Sequence, residues 1–423
     1  MKTHFVRSAL PQQSSGPPVV IRNWLLLAAI ALMTLSTTRL VNAQGLLYIV
    51  NTTSDTVVFG ACENGNAGCS LRGAMEAANF HVGADGIDFG IPTSDPGFDP
   101  VTGSWTINLT TTLPSITDGV GIAGPGADVL IVRRNTGGDY RIFTVSTSGT
   151  VTFSGLTISN GSDPGGQGGG IEISDINGAT VNVTGCTLSG NSVSESSGVD
   201  GFGGGIANSG PSTLNVTNCT FSGNSAIGSV GGGIVNSGIM NVTNSTFNGN
   251  FASNGGGIVN IESVTNVANV TSCTFSDNSA DGVNAFGGAI LNLGLMNLTN
   301  STLTGNSASS GGSGGGLCNF GSSEINIKSS IIAQNTASSL GPDVFVESGS
   351  VTSEGFNLIG KNDGAATSFP AGNPNANNDI VGTAAFPVNP KLDANGLQDN
   401  GGPPKPSRSF SAARPSIKAR ATA

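Results

Sequence analysis

The chain has 423 residues, of which 65 are glycine, and a formal net charge of −10. Only seven Lys and Arg residues occur between Gln44 and Gly402, so the chain lacks the clustered basic residues with which proteins bind nucleic acid or anionic membranes. We therefore expect no nucleic-acid partner. Phenylalanine and β-branched residues recur at fixed places, which excludes a disordered chain and favours stacked β-strands.

Residues 1–43 are predicted to be a signal peptide. Basic residues precede a 12-residue apolar run that begins at Trp24, and a small-x-small cleavage pattern ends at Ala43. The run is too short to span a membrane, and a signal anchor is the alternative interpretation. The chain after residue 43 carries 12 basic and 26 acidic residues, a net charge of −14. We expect it to be secreted or attached to a cell surface, without a transmembrane helix.

Residues 44–103 are predicted to form an N-terminal cap that contains one short α-helix. Three apolar residues fall on one face of this helix, and the serine before them is a suitable N-cap. An amphipathic helix here would cover the open end of a stack of strands, which otherwise exposes unpaired edges. The predicted capping helix comprises Ser70, Leu71, Arg72, Met75 and Ala78.

Residues 104–345 contain an internal repeat. An asparagine closes each unit, with steps of 26 to 33 residues, and the sequence Gly-Gly-Gly-Ile or a close variant recurs in phase with it. We expect these asparagines to be structural turn residues that hydrogen-bond to their equivalents one coil away. The predicted turn ladder comprises Asn191, Asn224, Asn250, Asn278, Asn306 and Asn335.

The residue types within each unit identify the architecture. From Leu214 to Phe221 apolar and polar residues alternate, shift phase once and alternate again, which predicts two short strands joined by a bend. The glycine-rich segment supplies a third strand, because glycine adopts backbone angles closed to other residues. Leucine-rich repeats would need a leucine pattern that is missing. We predict an all-β fold, a right-handed parallel β-helix (solenoid) with a short N-terminal capping α-helix.

The cysteines fall into two groups. Cys62 and Cys69 are expected to form a disulfide, because an exported chain meets an oxidising compartment. Aligning the coils places three others in one inward column that serines also occupy, so we interpret them, and Cys318, as buried thiols without a catalytic partner. A bridge between Cys186 and Cys219, on adjacent coils, is the alternative for that pair.

Three segments resemble known families. Cys69-Ser-Leu-Arg-Gly-Ala74 resembles the CSLREA motif of bacterial secreted β-helix proteins, with Gly73 where that family has glutamate. The repeats resemble those of chlamydial polymorphic outer-membrane proteins, as in Phe275-Ser-Asp-Asn278. Residues 346–403 resemble the choice-of-anchor Q region that closes such solenoids. The resemblance implies an exported surface protein and no particular reaction.

The last 20 residues differ in character from the rest. Residues 404–423 hold five basic residues and no acidic one. The choice-of-anchor Q region would have a different amino-acid sequence in this segment. Shifting the reading frame of the possible codons by one nucleotide permits that sequence. We therefore hypothesise that this aberrant tail is a frameshift product, which the nucleotide sequence tests.

Two functions from different classes follow. The first is a surface scaffold, adhesin-like and without catalysis, whose ligand the sequence does not identify. The second is a polysaccharide lyase or glycoside hydrolase on a pectate-lyase-like β-helix. The enzyme would need converging carboxylates or an arginine base, but no arginine occurs between Arg141 and Arg408. The acids of the coils are expected to be scattered, at Asp163, Glu172, Asp175, Glu195, Asp200, Glu262, Asp277, Asp281 and Glu324.

Other ligands have few candidate residues. His81 is the only histidine after residue 43, and we interpret it as a solvated residue at the end of the helix. Phe202 and Phe286, in longer turns, could contribute to sugar stacking. We expect no catalytic or metal site and no cofactor, with calcium at turn carboxylates near Asp200 or Asp281 as the alternative. The protein is expected to be a monomer.

Overall fold

The computed structural model describes residues 45–392 except for residues 59, 64, 136–137, 165, 175–177, 196–200 and 262–265. The predicted signal peptide and the tail at 404–423 lie outside the described residues. Within them the chain folds as a parallel β-solenoid of about nine turns, with one α-helix, α1 (Leu71–Phe80). The predicted parallel β-helix with a short capping helix is confirmed.

Strands from successive coils stack into four sheets, which we name A to D. The strands of sheet A are Leu47–Val50, Asp85–Phe89, Val120–Ala123, Thr150–Ser154, Thr180–Thr184, Thr213–Thr217, Ile239–Thr243, Val267–Thr271, Leu295–Thr299, Glu324–Lys328 and Ser350–Ser353. Those of sheet B are Phe98–Asp99, Ser104–Leu109, Leu130–Arg134, Thr157–Ser159, Thr187–Ser189, Thr220–Ser222, Thr246–Asn248, Thr274–Ser276, Thr302–Thr304, Ile331–Ile332, Leu358–Ile359 and Ile380–Val381.

The chain then enters sheet D and returns through glycines to sheet C. The strands of sheet D are Ser162–Pro164, Ser192–Ser194, Ser225–Val230, Phe251–Asn254, Ser279–Ala280, Ser307–Ala308 and Thr336–Ala337. Those of sheet C are Phe143–Val145, Ile171–Ile173, Ile206–Asn208, Ile234–Asn236, Ile258–Asn260, Ile290–Asn292, Leu317–Asn319 and Val344–Val346. Neighbouring strands pair in parallel throughout, except that Phe98–Asp99 is antiparallel to its neighbour.

The central coils therefore contain four strands, where the sequence predicted three. The additional strand is the one in sheet D, which directly follows each turn asparagine. Its buried residues are mostly alanines such as Ala226 and Ala252, which form a small cluster apart from the main core. Because alanine gives a weak apolar signal at a spacing of two, the pattern does not separate this strand from a turn.

The main core consists of columns of identical or similar side chains, as the repeat predicted. Register pairs Phe221 with Phe247 and Phe247 with Phe275, all fully buried. Their rings stack with centroids 4.6 and 4.7 Å apart and interplanar angles of 5° and 7°. This spacing follows the distance between neighbouring strands, about 4.8 Å, so the coil repeat itself sets the ring stacking.

The glycine-rich segments allow close approach of backbones. A Cβ at Gly204 would lie 2.4 Å from the carbonyl oxygen of Ser225, in sheet D of the next coil. Gly203, before it, has a φ of 71°, in the left-handed region. The recurring glycines therefore serve both the turn into sheet C and the stacking of one coil on the next.

The turn asparagines form a buried hydrogen-bonded ladder. The backbone N–H and the side-chain Nδ2 of Asn224 both donate to Asn250 Oδ1, at 3.0 and 2.9 Å. Nδ2 of Asn224 also donates to the carbonyl oxygen of Leu188, at 2.9 Å. The left-handed conformation lies one residue before the asparagine, as at Gly223 (φ 61°) and Gly249 (φ 62°). The asparagine side chain points inward and bonds to the adjacent coils.

A carboxylate ends this ladder at its C-terminal side. The backbone N–H and Nδ2 of Asn335 donate to Asp343 Oδ1, at 3.0 and 2.9 Å, and the Lys361 backbone N–H donates to Asp343 Oδ2 at 2.8 Å. Asp343 is 1% exposed. Burial raises the pKa of Asp343 to about 6, although the hydrogen bonds from Asn335 and Lys361 act in the opposite direction.

Candidate functional site

The N-terminal helix covers the core as its sequence pattern indicates. Ser70 is the N-cap, and its Oγ accepts a hydrogen bond from the Gly73 backbone N–H at 3.1 Å. Leu71, Met75 and Ala78 are buried against the first strands of sheet A. These residues have a structural role at the end of the solenoid.

The residue that ends the helix is held by a carboxylate. His81 is the C-cap of α1, and its Nδ1 lies 2.9 Å from Asp85 Oδ1. The Asp85 side chain is fully buried at the start of a sheet A strand and also accepts a hydrogen bond from the Leu46 backbone N–H at 2.7 Å. His81 is therefore paired, whereas the sequence suggested a solvated residue.

Arg72 connects α1 to two neighbouring loops. Its Nε and Nη2 donate to the carboxylate of Asp55, at 3.0 and 2.9 Å. Nη1 and Nη2 also donate to the carbonyl oxygens of Thr112 and Thr111, at 2.5 and 2.9 Å. Thr110 completes the cluster through its N–H and hydroxyl, which both donate to Asp55. The arginine of the CSLR sequence thus acts as a cross-link within the cap.

The cysteines comprise one disulfide and four buried thiols. Cys62 and Cys69 are joined by a disulfide beside α1, while Cys186, Cys219, Cys273 and Cys318 are free and buried. Cys186 and Cys219 remain thiols, with the Cys186 backbone N–H 3.5 Å from Cys219 Sγ. Burial raises the pKa of Cys273 to about 12, which keeps this thiol protonated and unreactive at neutral pH.

Two of the carboxylates in the coils come together on one arginine. Arg141 forms ion pairs with both Asp163 and Glu172, and all three side chains are largely buried. Both carboxylates are therefore paired with the same guanidinium, which is the arrangement of a structural ion-pair cluster rather than of a general acid and base. Among the described residues, no group of three or more His, Cys, Asp and Glu side chains could hold a metal ion.

The outer face of sheet A carries a second asparagine column that the sequence analysis did not single out. Nδ2 of Asn241 donates to Asn215 Oδ1, and Nδ2 of Asn269 donates to Asn241 Oδ1, both at 2.9 Å. These side chains are half-buried, unlike those of the turn ladder. Six residues share this position in register, at Asn182, Asn215, Asn241, Asn269, Asn297 and Asn326.

Part of the outer face of sheet C is apolar. The middle residues of four successive strands, Val235, Val259, Leu291 and Cys318, point away from the main core and form a separate hydrophobic cluster, whereas the equivalent residues of the first two strands, Thr144 and Glu172, are polar. Rows of half-buried apolar residues pack against this middle column from the two sides. We call this surface the outer strip; it comprises Val235, Val259, Leu291, Cys318, Phe202, Val230, Ile261, Phe286, Leu293, Phe320 and Phe345.

The rings at the sides close over the middle of the outer strip. Val259 and Cys318, in the middle column, are 1% and 0% exposed. The rings of Phe286 and Phe320 meet with their centroids 5.2 Å apart and their planes tilted by 54°. The surface that remains open to solvent therefore consists of aromatic and aliphatic side chains that are themselves half-buried.

The sequence singled out only part of this surface. Phe202 and Phe286 were expected in longer turns as candidates for sugar stacking, and the structure places both in the outer strip. The signal that could have identified the rest is the residue between isoleucine and asparagine in each Gly-Gly-Gly-Ile-x-Asn segment. That residue is apolar in successive coils, as at Val235, Val259 and Leu291.

Comparison with known proteins adds no family assignment. No protein-family model matches the chain, and no curated protein matches it. The resemblance to CSLREA-motif proteins, to polymorphic outer-membrane proteins and to the choice-of-anchor Q region therefore stays a prediction. In the part of the chain that the structure describes, no helix is long and apolar enough to cross a membrane.

Proposed function

We propose that the protein is a secreted or cell-surface scaffold that adheres to other surfaces through the outer strip and performs no catalysis. The observation that carries the proposal is the position of this strip on the outside of the solenoid. A solenoid is stabilised by its inward columns and needs no apolar residues outside, and exposed apolar patches on soluble proteins commonly mark interaction sites.

Two further features support export. The pattern of residues 1–43 is typical of a signal peptide. The disulfide between Cys62 and Cys69 is of the kind that forms and persists outside the cytosol. Stacked coils are a suitable support for an adhesive surface, because they place the strip side chains at regular intervals.

The enzyme hypothesis has no comparable support. The fold is one that pectate lyases also use, but fold alone does not assign a reaction. The carboxylates that meet, Asp163 and Glu172, are both paired with Arg141. Incubation of the protein with polysaccharides is expected to release neither reducing ends nor unsaturated products.

Adhesion is tested with variants at the sides of the strip. Ile261→Ser combined with Leu293→Ser makes two half-buried strip positions polar. The matched control is Ile239→Ser, which changes an isoleucine that is 39% exposed on the outer face of sheet A. Labelled protein is sedimented with isolated bacterial and plant cell walls and incubated with cultured epithelial cells.

We expect the native protein to bind at least one of these surfaces, the double variant to bind at least fivefold less, and the control to bind like the native protein. Equal binding by the double variant and the control would show that the strip is not the adhesive surface. Absence of binding to every surface would refute the proposed function.

A further inference from the structure

We propose that the outer strip binds a single uncharged glycan chain lying along the solenoid axis, with sugar rings stacked on its phenylalanines. This inference rests on the proposed function and specifies the ligand class of the same surface. Three properties of the strip carry it, namely its area, its closed middle column and its lack of charge.

The first property is the area of the outer strip. The strip spans six coils, from Phe202 to Phe345, so its ends are five coil spacings apart, a length of about 24 Å at 4.8 Å per spacing, and its three rows span about 13 Å. The resulting area of about 300 Å² is less than half of the roughly 800 Å² that each partner contributes to a stable protein interface. A second copy of this chain docked on the strip alone would therefore not form a stable dimer. A narrow, elongated ligand fits this shape.

The second property distinguishes a glycan from an apolar peptide. A docked amphipathic helix inserts its side chains into an open groove, and an extended peptide pairs with a free strand edge. The middle column of the strip is already sealed, since Val259 and Cys318 are almost fully buried and the rings of Phe286 and Phe320 meet above this column. The strip is also the face of a sheet whose strands are paired on both sides, except for the last, Val344–Val346, where the Val346 backbone N–H donates to the Gly364 carbonyl oxygen at 2.9 Å.

The ligand must therefore bind to the half-buried rings themselves. A pyranose ring presents a flat face of C–H bonds, which packs on an aromatic ring without entering a groove. Phe286, Phe320 and Phe345 belong to three successive coils, one in each row of the strip, so an aromatic ring is available at each coil along this part of the solenoid axis. A polymer binds more tightly to several such rings than to one, because the first contact holds the next sugar close to the next ring.

The third property is charge. Among the described residues of the strip between Phe202 and Phe345, none carries a charge. At its two ends lie Glu172, on the coil before Phe202 and paired with Arg141, and the exposed Glu347, two residues after Phe345 on the last coil; Glu262, next to Ile261 in sequence, lies outside the described residues. An acidic polymer would meet no cation and would approach a carboxylate at either end, so the strip favours an uncharged glycan.

Affinity electrophoresis of the full chain tests the inference. Native gels contain hydroxyethyl cellulose, xyloglucan or galactomannan as neutral polymers, and polygalacturonate as the acidic one. The test variant combines Phe286→Leu with Phe320→Leu, which keeps apolar side chains over the middle column but removes the flat rings. The control is Phe356→Leu, which removes a ring that is 67% exposed outside the strip. Thermal unfolding of each variant establishes that it is folded.

We expect the native protein to be retarded by at least one neutral polymer and not by polygalacturonate. The double variant should bind at least tenfold more weakly, and the control should bind like the native protein. Undiminished binding by the double variant would overturn ring stacking. If the native protein adheres to cell surfaces but no neutral polymer retards it, or if cell walls stripped of glycan still bind it, the glycan inference fails while the proposed function stands.

Discussion

Removal of one asparagine from the turn ladder should destabilise the protein far more than removal of one from the outer face of sheet A. The Asn250 side chain is fully buried and makes four hydrogen bonds. Its Oδ1 accepts two from Asn224, at 3.0 and 2.9 Å, and its Nδ2 donates to Phe221 O and to Asn278 Oδ1, at 3.0 and 2.9 Å. Asn250→Ala removes all four and leaves the Asn224 backbone N–H buried without this acceptor.

The size of the effect follows from these contacts. Each of the four bonds contributes about 1 kcal/mol net, and a buried donor left unsatisfied costs about 1 to 3 kcal/mol, so we expect a loss of about 5 to 7 kcal/mol. Asn241 is the matched comparison, because it is half-buried and makes two ladder bonds, to Asn215 and Asn269. Water replaces these bonds in Asn241→Ala, and the expected loss is below about 1 kcal/mol.

Urea unfolding followed by circular dichroism measures both variants. Because coils of a solenoid can open separately, hydrogen exchange of peptides that cover residues 221–250 accompanies it. The Asn250→Ala variant should show faster exchange in this segment, and Asn241→Ala should not. Equal losses of stability in the two variants would refute the argument that burial of the turn ladder gives it its importance.

Three further predictions concern the two ends of the solenoid. Arg72→Ala should lower the unfolding temperature more than Arg72→Lys, because lysine retains one charge contact with Asp55 while alanine retains none; equal effects would contradict the cross-link. Gly73→Ala should raise stability by about 0.5 to 1 kcal/mol, since a Cβ there meets its nearest atoms at 3.4 Å, and a loss in urea unfolding would refute this. The folded pKa of Asp343, about 6, lies above its ordinary value of 3.8. The protonated side chain of Asp343 therefore stabilises the fold fully below about pH 4, and this stabilisation is lost as the pH rises through 6. The free energy of unfolding changes by about 3 kcal/mol over this range. The difference in unfolding free energy between the native protein and Asp343→Asn, measured from pH 4 to 8, should follow this curve, and a flat difference would contradict it.

The repeat in the sequence determined the fold because a solenoid is held together by contacts between equivalent positions of adjacent coils. The register of Phe221, Phe247 and Phe275 follows directly from the spacing of the turn asparagines. The capping helix was equally predictable from the sequence, since the N-cap Ser70 and the apolar face of the helix that follows it are local signals. These features depend on residues close in sequence or on a period that the chain repeats.

Other features depend on contacts that no period describes. The fourth strand of the central coils is not predicted by the sequence, because its buried residues are mostly alanines and its length varies between coils. Arg141 meets Asp163 and Glu172 only because a loop of one coil reaches the next. The outer strip combines the apolar middle residues of the later sheet C strands with phenylalanines and aliphatic residues that flank those strands. The sequence therefore determined which residues stack on one another in the core. Only the tertiary structure decided which side chains lie together on the outer faces. The composition of those faces depends on where the loops of variable length place their side chains.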